Sequence, residues 1–169
     1  MDDTLSKTLI TGAGGMVGGY IDFGIPTSRK DLDITDLKSV YEVFEKYKPK
    51  VVLHLAAETD VDKCERDPDH AYKVNTIGTY NIAVAAKKYN ALLVYVSTAA
   101  VFDGHKKSPY EVTDRENPQH YYGRSKYLGE LIVRGMGVKN LVVRAGWVFG
   151  GGPTRDKKFV GKMMGLIDG

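Results

Sequence analysis

Apolar runs of strand length alternate with amphipathic segments along the whole chain. The apolar runs lie at residues 7–11 (KTLIT), 50–57 (KVVLHLAA), 91–98 (ALLVYVST) and 140–150 (NLVVRAGWVFG). Helix-like segments lie at residues 35–48, at 68–89, from 119 onward and at 157–168. Continuous apolar strands are typical of parallel sheets that are covered on both faces. The alternation therefore predicts a Rossmann-type α/β fold, a doubly wound parallel sheet with right-handed crossovers.

Two stretches depart from the regular alternation. Residues 18–36 (GGYIDFGIPTSRKDLDITD) leave little room for a full helix and a full second strand, so either the first helix is short or this unit is reduced. Residues 99–118 form a loop rich in polar side chains. The helix at 35–48 is predicted to have Thr35 as its N-cap and to end before Pro49.

Composition narrows the class of protein. A length of 169 residues suffices for one domain with a core, and we predict a single NAD(P)-binding domain over residues 1–169. Hydrophobic residues make up 43% and charged residues 27%, as in ordinary globular chains. The net charge of +3 is scattered along the sequence, which argues against nucleic-acid binding.

The chain shows neither a leader nor a metal motif. Its N-terminus reads MDDTLSKTLIT, unlike a signal peptide, and no apolar run reaches the length of a membrane span, so we predict a cytoplasmic protein without a membrane partner. Cys64 is the single cysteine, and no Cys/His cluster is present. We therefore predict no metal site, and a small apolar contact for Cys64 on a short helix.

The first strand runs into a glycine-rich turn, TGAGGMVGG. Gly12 permits the tight turn from strand to helix, Gly15 lets a pyrophosphate approach the backbone, and Gly18 allows a helix to pack closely on the strand. A helix N-terminus also presents free N–H groups and a positive dipole end to phosphate. The turn, including Met16 and Val17, therefore predicts a dinucleotide site.

The next segment bears on the choice of cofactor. A dinucleotide-binding unit usually has an acidic residue here for a ribose 2′-hydroxyl, but this chain reads TSRKD. Ser28 and Arg29 are suited to a 2′-phosphate instead, so NADP(H) is favoured and NAD(H) is the alternative. Asp33 and Ile34 are predicted to hold the adenine edge.

The residues at the end of the third strand are predicted to form one wall of the cofactor-binding site. Ala56 and Ala57 are small, so a cofactor is able to lie against their backbone, and Glu58 and Thr59 continue this wall. Ligands of open α/β sheets bind at the carboxyl ends of the strands. His54 lies inside the apolar strand and is predicted to be a core histidine with satisfied hydrogen bonds.

The segment QHYYGRSKYLGE contains a candidate catalytic pair. Tyr122 lies four residues before Lys126, so the two side chains share a helix face, whereas Tyr121 does not. A lysine ammonium stabilises a phenolate, and we expect Lys126, together with a positively charged nicotinamide in a site shielded from water, to lower the pKa of Tyr122 from its usual value of about 10. Ser97 and Thr98 end the fourth strand at the same sheet edge, where a hydroxyl is placed to bind a carbonyl oxygen beside the phenol.

Together these features resemble the extended short-chain dehydrogenase/reductases, and in particular the dTDP-4-dehydrorhamnose reductase family. The similar stretches are DLDITD, AAETDVDKCERDP, STAAVFDG, YGRSKYLGE and RAGWVFGGG, and the likeness extends from about residue 8 to 165. The resemblance implies an NADPH-dependent reductase of a 4-keto nucleotide sugar, of the dTDP-4-dehydro-6-deoxyhexose type.

The resemblance also assigns roles to residues. It makes Thr98, Tyr122 and Lys126 catalytic, with Lys126 also binding the nicotinamide ribose. Trp147 matches a tryptophan that lines the sugar pocket, and core packing is the alternative for this residue. Asn75 matches a helix asparagine that holds a water molecule in a proton relay, and an ordinary buried polar contact is the alternative.

One departure concerns the residues after Thr98. Where the family has Asp-Tyr, this chain has Ala99 and Ala100, and small residues here are more typical of NAD-dependent nucleotide-sugar 4-epimerases. Ala99 is still expected to face the substrate. A 4,6-dehydratase is disfavoured because it needs an Asp-Glu pair at this point.

The other departure is length, because the family's chains are nearly twice as long. The C-terminal part that builds their substrate lobe would then be largely missing, and we expect a fragment. A non-catalytic alternative is an NADP-binding regulatory subunit of a methionine adenosyltransferase. A homodimer is a further expectation.

Overall fold

Five parallel strands form one sheet in the order β2-β1-β3-β4-β5. The computed structural model describes residues 3–151, 156 and 159–167. The strands are β1 (Thr8–Thr11), β2 (Ile25–Thr27), β3 (Val51–His54), β4 (Leu92–Thr98) and β5 (Asn140–Ala145). Because β1 has β2 on one side and β3 on the other, the direction of winding reverses at β1. The predicted Rossmann-type doubly wound sheet is confirmed.

Helices lie before, between and after the strands along the chain. They are α1 (Asp3–Ser6), α2 (Leu37–Tyr47), α3 (Val61–Arg66), α4 (Pro68–Tyr72), α5 (Thr79–Lys88), α6 (Tyr121–Gly135) and α7 (Phe159–Ile167). A π-helical segment, Lys73–Gly78, joins α4 to α5, so the helix predicted at residues 68–89 contains a change of pitch. None of the helices in the described part of the chain has both the length and the apolar character of a membrane span.

Several predicted boundaries differ from the structure. Between β1 and β2 the helix is reduced to a 3₁₀ turn, Gly18–Tyr20, which accounts for the short segment. Strand β5 ends at Ala145 rather than at residue 150, because its last partner is Thr98, the final residue of β4. The outer residues of the helix predicted at 157–168 lie outside the described residues.

The predicted N-cap of α2 is also wrong. The side chain of Asp36 accepts a hydrogen bond from the Lys38 backbone N–H at 2.9 Å and so caps the helix. Thr35 instead donates its hydroxyl to Asp33 at 2.8 Å. Thr35 and Asp36 are both able to cap this helix, and Asp36 does so because the Thr35 hydroxyl is bound to Asp33.

The two faces of the sheet are covered unequally. On one face, Leu9, Val52, Leu93 and Tyr95 are fully buried in a core that also contains residues of α2, α5 and α6. On the opposite face, β5 leaves Leu141 54% and Val143 41% exposed beside its partners on β4. The helices connecting β2 to β3, β3 to β4 and β4 to β5 therefore bury one face of the sheet and leave the other partly open.

Candidate functional site

A cavity of about 840 Å³ lies at the carboxyl edge of the sheet, where β1, β3, β4 and β5 end. Its volume is in the range of ligand-binding pockets. The predicted site residues that line it are Gly12, Gly15, Met16, Val17, Gly18, Ser28, Arg29, Asp33, Ile34, Ala56, Ala57, Glu58, Thr59, Thr98, Ala99, Tyr122, Lys126 and Trp147. The fold thus brings side chains from distant parts of the sequence into one cavity.

The turn after β1 touches the loop after β3. Gly12 has a φ of +70°, a conformation that disfavours any side chain. A Cβ on Gly12 would lie only 2.8 Å from the Cα of Ala56. The absence of this methyl group lets the two backbones form the floor of the cavity together.

One end of the cavity carries the cation Arg29, and the neighbouring Ser28 is bound to Asp31, which is not among the lining residues. Arg29 lines the cavity and is exposed. The backbone N–H and the hydroxyl of Ser28 both donate to Asp31 Oδ2, at 2.9 and 2.6 Å. The hydroxyl proton of Ser28 is therefore already used, and Arg29 is the main candidate at this end for binding a phosphate.

Residues 33–35, two of which are predicted to hold the adenine edge, also line the cavity. Hydrogen bonds from the hydroxyl and the backbone N–H of Thr35 lower the pKa of Asp33, so this carboxylate is charged at neutral pH. Ile34 is buried, and its side chain packs against Gly78, where a Cβ would collide with it.

Asn75 is the predicted site residue that does not line the cavity. It is fully buried in the π-helical segment. Its Oδ1 accepts the Glu58 N–H at 2.8 Å, and its Nδ2 donates to the Glu58 carbonyl and to Ser125 Oγ, both at 3.0 Å. The cofactor-binding prediction for Asn75 stays a prediction, and in this structure its side chain holds the Glu58 backbone and Ser125.

Thr98 and Tyr122 meet where β4 ends and α6 begins. Tyr122 lies in the first turn of α6, which His120 caps. Burial raises the pKa of Tyr122, while a side-chain hydrogen bond with Thr98 acts in the opposite direction. The phenol is therefore protonated at neutral pH and lies beside a hydroxyl group.

Lys126 has partners other than Tyr122. Its side chain is buried, and its Nζ donates to the Val96 carbonyl at 2.8 Å. Burial lowers the pKa of Lys126 to about 7. In this structure the ammonium contacts β4 and burial raises the pKa of the phenol, so the predicted lowering of the Tyr122 pKa, which also needs the charged nicotinamide, stays a prediction.

His120 is a cavity residue without a predicted role, and Ser97, the other hydroxyl expected at the end of β4, also lines the cavity. His120 stacks on Tyr122, with ring centroids 6.0 Å apart and planes 12° apart, and its Nδ1 accepts the Gly123 N–H at 3.1 Å. Its place just before a helix was the available signal. Ser97 Oγ is buried against the cavity and has no hydrogen-bond partner among the described residues.

The two residues predicted to be structural are confirmed as such. His54 is buried, with Nδ1 2.7 Å from Thr11 Oγ1 and Nε2 3.2 Å from Thr79 Oγ1, and burial lowers its pKa to about 3. Cys64 is buried in α3, and burial raises its pKa to about 11.

Comparison with known proteins places this site in a family. The model of the RmlD substrate binding domain matches residues 6–169. The spore coat polysaccharide biosynthesis protein SpsK of Bacillus subtilis is 36% identical over 97% of this chain and 60% of its own length. The dTDP-4-dehydrorhamnose reductase of Aggregatibacter actinomycetemcomitans is 36% identical over 86% of this chain and 53% of its own length.

A solved structure shares the fold. The crystal structure of the dTDP-4-dehydrorhamnose reductase of Bacillus anthracis in complex with NADP superimposes with a TM-score of 0.88 at 34% identity, over 98% of this chain and 61% of that one. This chain thus spans between about half and three fifths of the length of these proteins. It belongs to the RmlD substrate binding domain family and is homologous to dTDP-4-dehydrorhamnose reductases.

Proposed function

We propose that this chain is the NADP(H)-binding part of a reductase that acts on a 4-keto nucleotide sugar of the dTDP-4-dehydro-6-deoxyhexose type. The observation that carries the proposal is that Thr98, Tyr122 and Lys126 line one cavity together with the Gly12 turn. The homologous reductase of Bacillus anthracis, crystallised with NADP, supports the choice of cofactor.

The cavity fits a dinucleotide along its length. The Gly12 backbone packs against Ala56 in a contact that a side chain would prevent, and a glycine turn of this kind is typical of pyrophosphate sites. Arg29 at one end is suited to the 2′-phosphate that distinguishes NADP from NAD, and Asp33 and Ile34 flank the adenine. At the other end, Ser97 Oγ is a buried polar atom without a partner among the described residues. Buried hydroxyls are seldom left unpaired, which favours a polar ligand there.

The catalytic roles follow from the protonation states. The bound nicotinamide would supply the hydride for carbon 4 of the sugar. Tyr122, whose pKa is raised, holds its proton at neutral pH and donates it to the carbonyl oxygen. The Thr98 hydroxyl binds the same oxygen. Lys126 would bind the ribose hydroxyls of the cofactor, and Trp147, 87% exposed at the cavity, and Ala99 would contact the sugar.

The test separates binding from chemistry. The purified chain is titrated with NADPH and with NADH by fluorescence, and we expect tighter binding of NADPH. Tyr122→Phe should leave NADPH affinity nearly unchanged and lower turnover of the 4-keto sugar by about 100-fold or more. Tyr121→Phe is the matched control, because Tyr121 lies outside the cavity lining and packs against Tyr72. Failure of both cofactors to bind, or full activity in Tyr122→Phe, would refute the proposal.

A nucleotide-sugar 4-epimerase is the second candidate, because the small side chains of Ala99 and Ala100 line the cavity after Thr98. An epimerase would retain tightly bound NAD through purification and interconvert two nucleotide sugars with no net consumption of NADPH. Mass spectrometry of the released cofactor, together with an NADPH oxidation assay, distinguishes the two activities.

A further inference from the structure

The buried ammonium of Lys126 has two partners on β4. Its Nζ donates to the Val96 carbonyl at 2.8 Å and lies 4.2 Å from the centroid of the Tyr95 ring. Lys126 is 3% exposed and Tyr95 is fully buried. Within the described residues, no carboxylate forms an ion pair with Lys126. A carbonyl group and an aromatic face therefore stabilise the ammonium in place of a counter-ion.

Tyr95 contacts Lys126 at both ends of its side chain. While the ring faces the ammonium, the Tyr95 hydroxyl donates to the Lys126 carbonyl at 3.1 Å. Gly129 makes this approach possible, because a Cβ at that position would collide with the Tyr95 hydroxyl. The His54 ring stacks on Tyr95, with centroids 5.7 Å apart. Contacts with Lys126, Gly129 and His54 thus fix the orientation of the Tyr95 ring.

We propose that Tyr95 is a positioning residue for Lys126: its ring stabilises the charged amine, and its hydroxyl holds the backbone from which that amine projects. The inference rests on the proposed function in one respect, namely that the ammonium matters because it would bind the cofactor ribose. Cation–π contacts are strongest where both groups are removed from water, as they are here.

The nearby charged groups do not stabilise the Lys126 ammonium in place of the Tyr95 ring. The Glu130 charge, from the next turn of α6, raises the pKa of Lys126 in opposition to the larger effect of burial. Its carboxylate, however, is bound by Arg134 at 3.1 Å and by Arg144 of β5 at 2.7 Å. Much of the negative charge of Glu130 is therefore already compensated.

The other titratable neighbours are neutral at pH 7. His54, from β3, is uncharged because burial lowers its pKa to about 3. Burial raises the pKa of Tyr122, one turn earlier in α6, and of Cys64, which approaches Tyr122 from α3. Apart from the Val96 carbonyl and Glu130, whose charge is compensated, the aromatic face of Tyr95 is thus the main group that favours the charged form of Lys126.

The decisive measurement is the titration of Lys126 itself. The chain is labelled with ¹³C at lysine Cε, and the Lys126 signal is identified by its absence from Lys126→Met. We expect Tyr95→Leu to lower the Lys126 titration midpoint by about one pH unit, a tenfold loss of proton affinity. Tyr95→Phe keeps the ring face and should stay within about 0.3 unit of wild type. Phe44→Leu, which alters a fully buried ring in α2, is the control for core packing.

A second series avoids any problem with folding. Phenylalanine with one, two and three fluorine atoms at position 95 keeps the shape of the ring and weakens its negative face, so the Lys126 midpoint should fall stepwise. An unchanged midpoint across this series, or an equal shift in Phe44→Leu, would overturn the proposal. No cofactor is used, so failure of NADPH binding would refute the proposed function without affecting this result.

Discussion

Lys126 carries a charge where burial disfavours one, and this has a consequence for stability. Its pKa is about 7 in the folded chain against an ordinary value of 10.5, so between these pH values the unfolded chain binds the additional proton. Stability then rises with pH across this window, and the cost of the buried charge is fully present below pH 7. The same group that would serve cofactor binding therefore lowers the stability of the fold.

Lys126→Met tests this at the residue scale. Removing the buried cation should increase the free energy of unfolding by about 1 to 3 kcal/mol below pH 7, and the gain should shrink as pH rises towards the ordinary lysine pKa. Urea unfolding of both proteins at several pH values measures the difference. Lys139→Met, at an exposed position, is the control. If the free energies of unfolding of the wild type and Lys126→Met changed with pH in parallel, the charge of the buried lysine would not account for the difference in stability.

At the scale of elements, the contact between two loops shapes the cavity. The turn after β1 and the loop after β3 approach each other at Gly12 and Ala56, and Asn75 in the π-helical segment holds the neighbouring Glu58. The 3₁₀ turn Gly18–Tyr20 replaces a full helix without disturbing this contact. The carboxyl edge of the sheet is therefore supported by irregular segments that hydrogen-bond to one another.

Gly12→Ala should disrupt this junction. A side chain at φ +70° is strained, and its Cβ would meet the Ala56 backbone, so we expect a loss of about 2 kcal/mol or more of stability. NADPH affinity should fall as well. Gly14→Ala is the matched control, since a Cβ there has no neighbour within 4 Å, and its effect should stay within about 0.5 kcal/mol. Equal unfolding midpoints for the two variants would contradict the close approach at Gly12.

At the scale of the whole molecule, the open face of the sheet is the main feature. Leu141 and Val143 on β5 are exposed, as are Trp147 and Phe149 just beyond it. Exposed apolar surface promotes association where such side chains lie together. The predicted homodimer remains a prediction, and this face is one surface on which contacts between chains would bury apolar area.

The double variant Leu141→Thr/Val143→Thr tests this surface. We expect it to bind less of the dye ANS and to show weaker concentration-dependent association in sedimentation velocity, because it removes apolar area from the open face. Val112→Thr, which alters an isolated side chain that is 84% exposed, should change neither quantity. Unchanged dye binding in the double variant would mean that another surface attracts the dye.

The strongest sequence predictions were those in which local pattern and chemistry agreed. The glycine turn, the four-residue spacing of Tyr122 and Lys126, and Thr98 at a strand end all led to residues that line one cavity. In a parallel sheet every strand ends at the same edge, so residues at strand ends meet there whatever their distance in sequence. For this reason the position of the site was predictable without coordinates.

The errors arose where neighbours compete. The cap of α2 moved to Asp36 because Asp33 bound the hydroxyl of Thr35. Strand β5 ended earlier than predicted because its partner β4 ends at Thr98. No pattern of residue types reveals which of several adjacent partners a side chain will choose.

By itself, the sequence determined the α/β class, the order of the elements and the residues that meet at the carboxyl edge, because hydrophobic periodicity and strand-end chemistry are local properties. Only the tertiary structure decided how the Lys126 ammonium is held, since its partners Val96 and Tyr95 lie on another element about 30 residues away. It also decided the protonation of Tyr122, since the pKa of the phenol depends on burial as well as on helical spacing. Electrostatic energies in a folded chain are set by depth and by non-local neighbours.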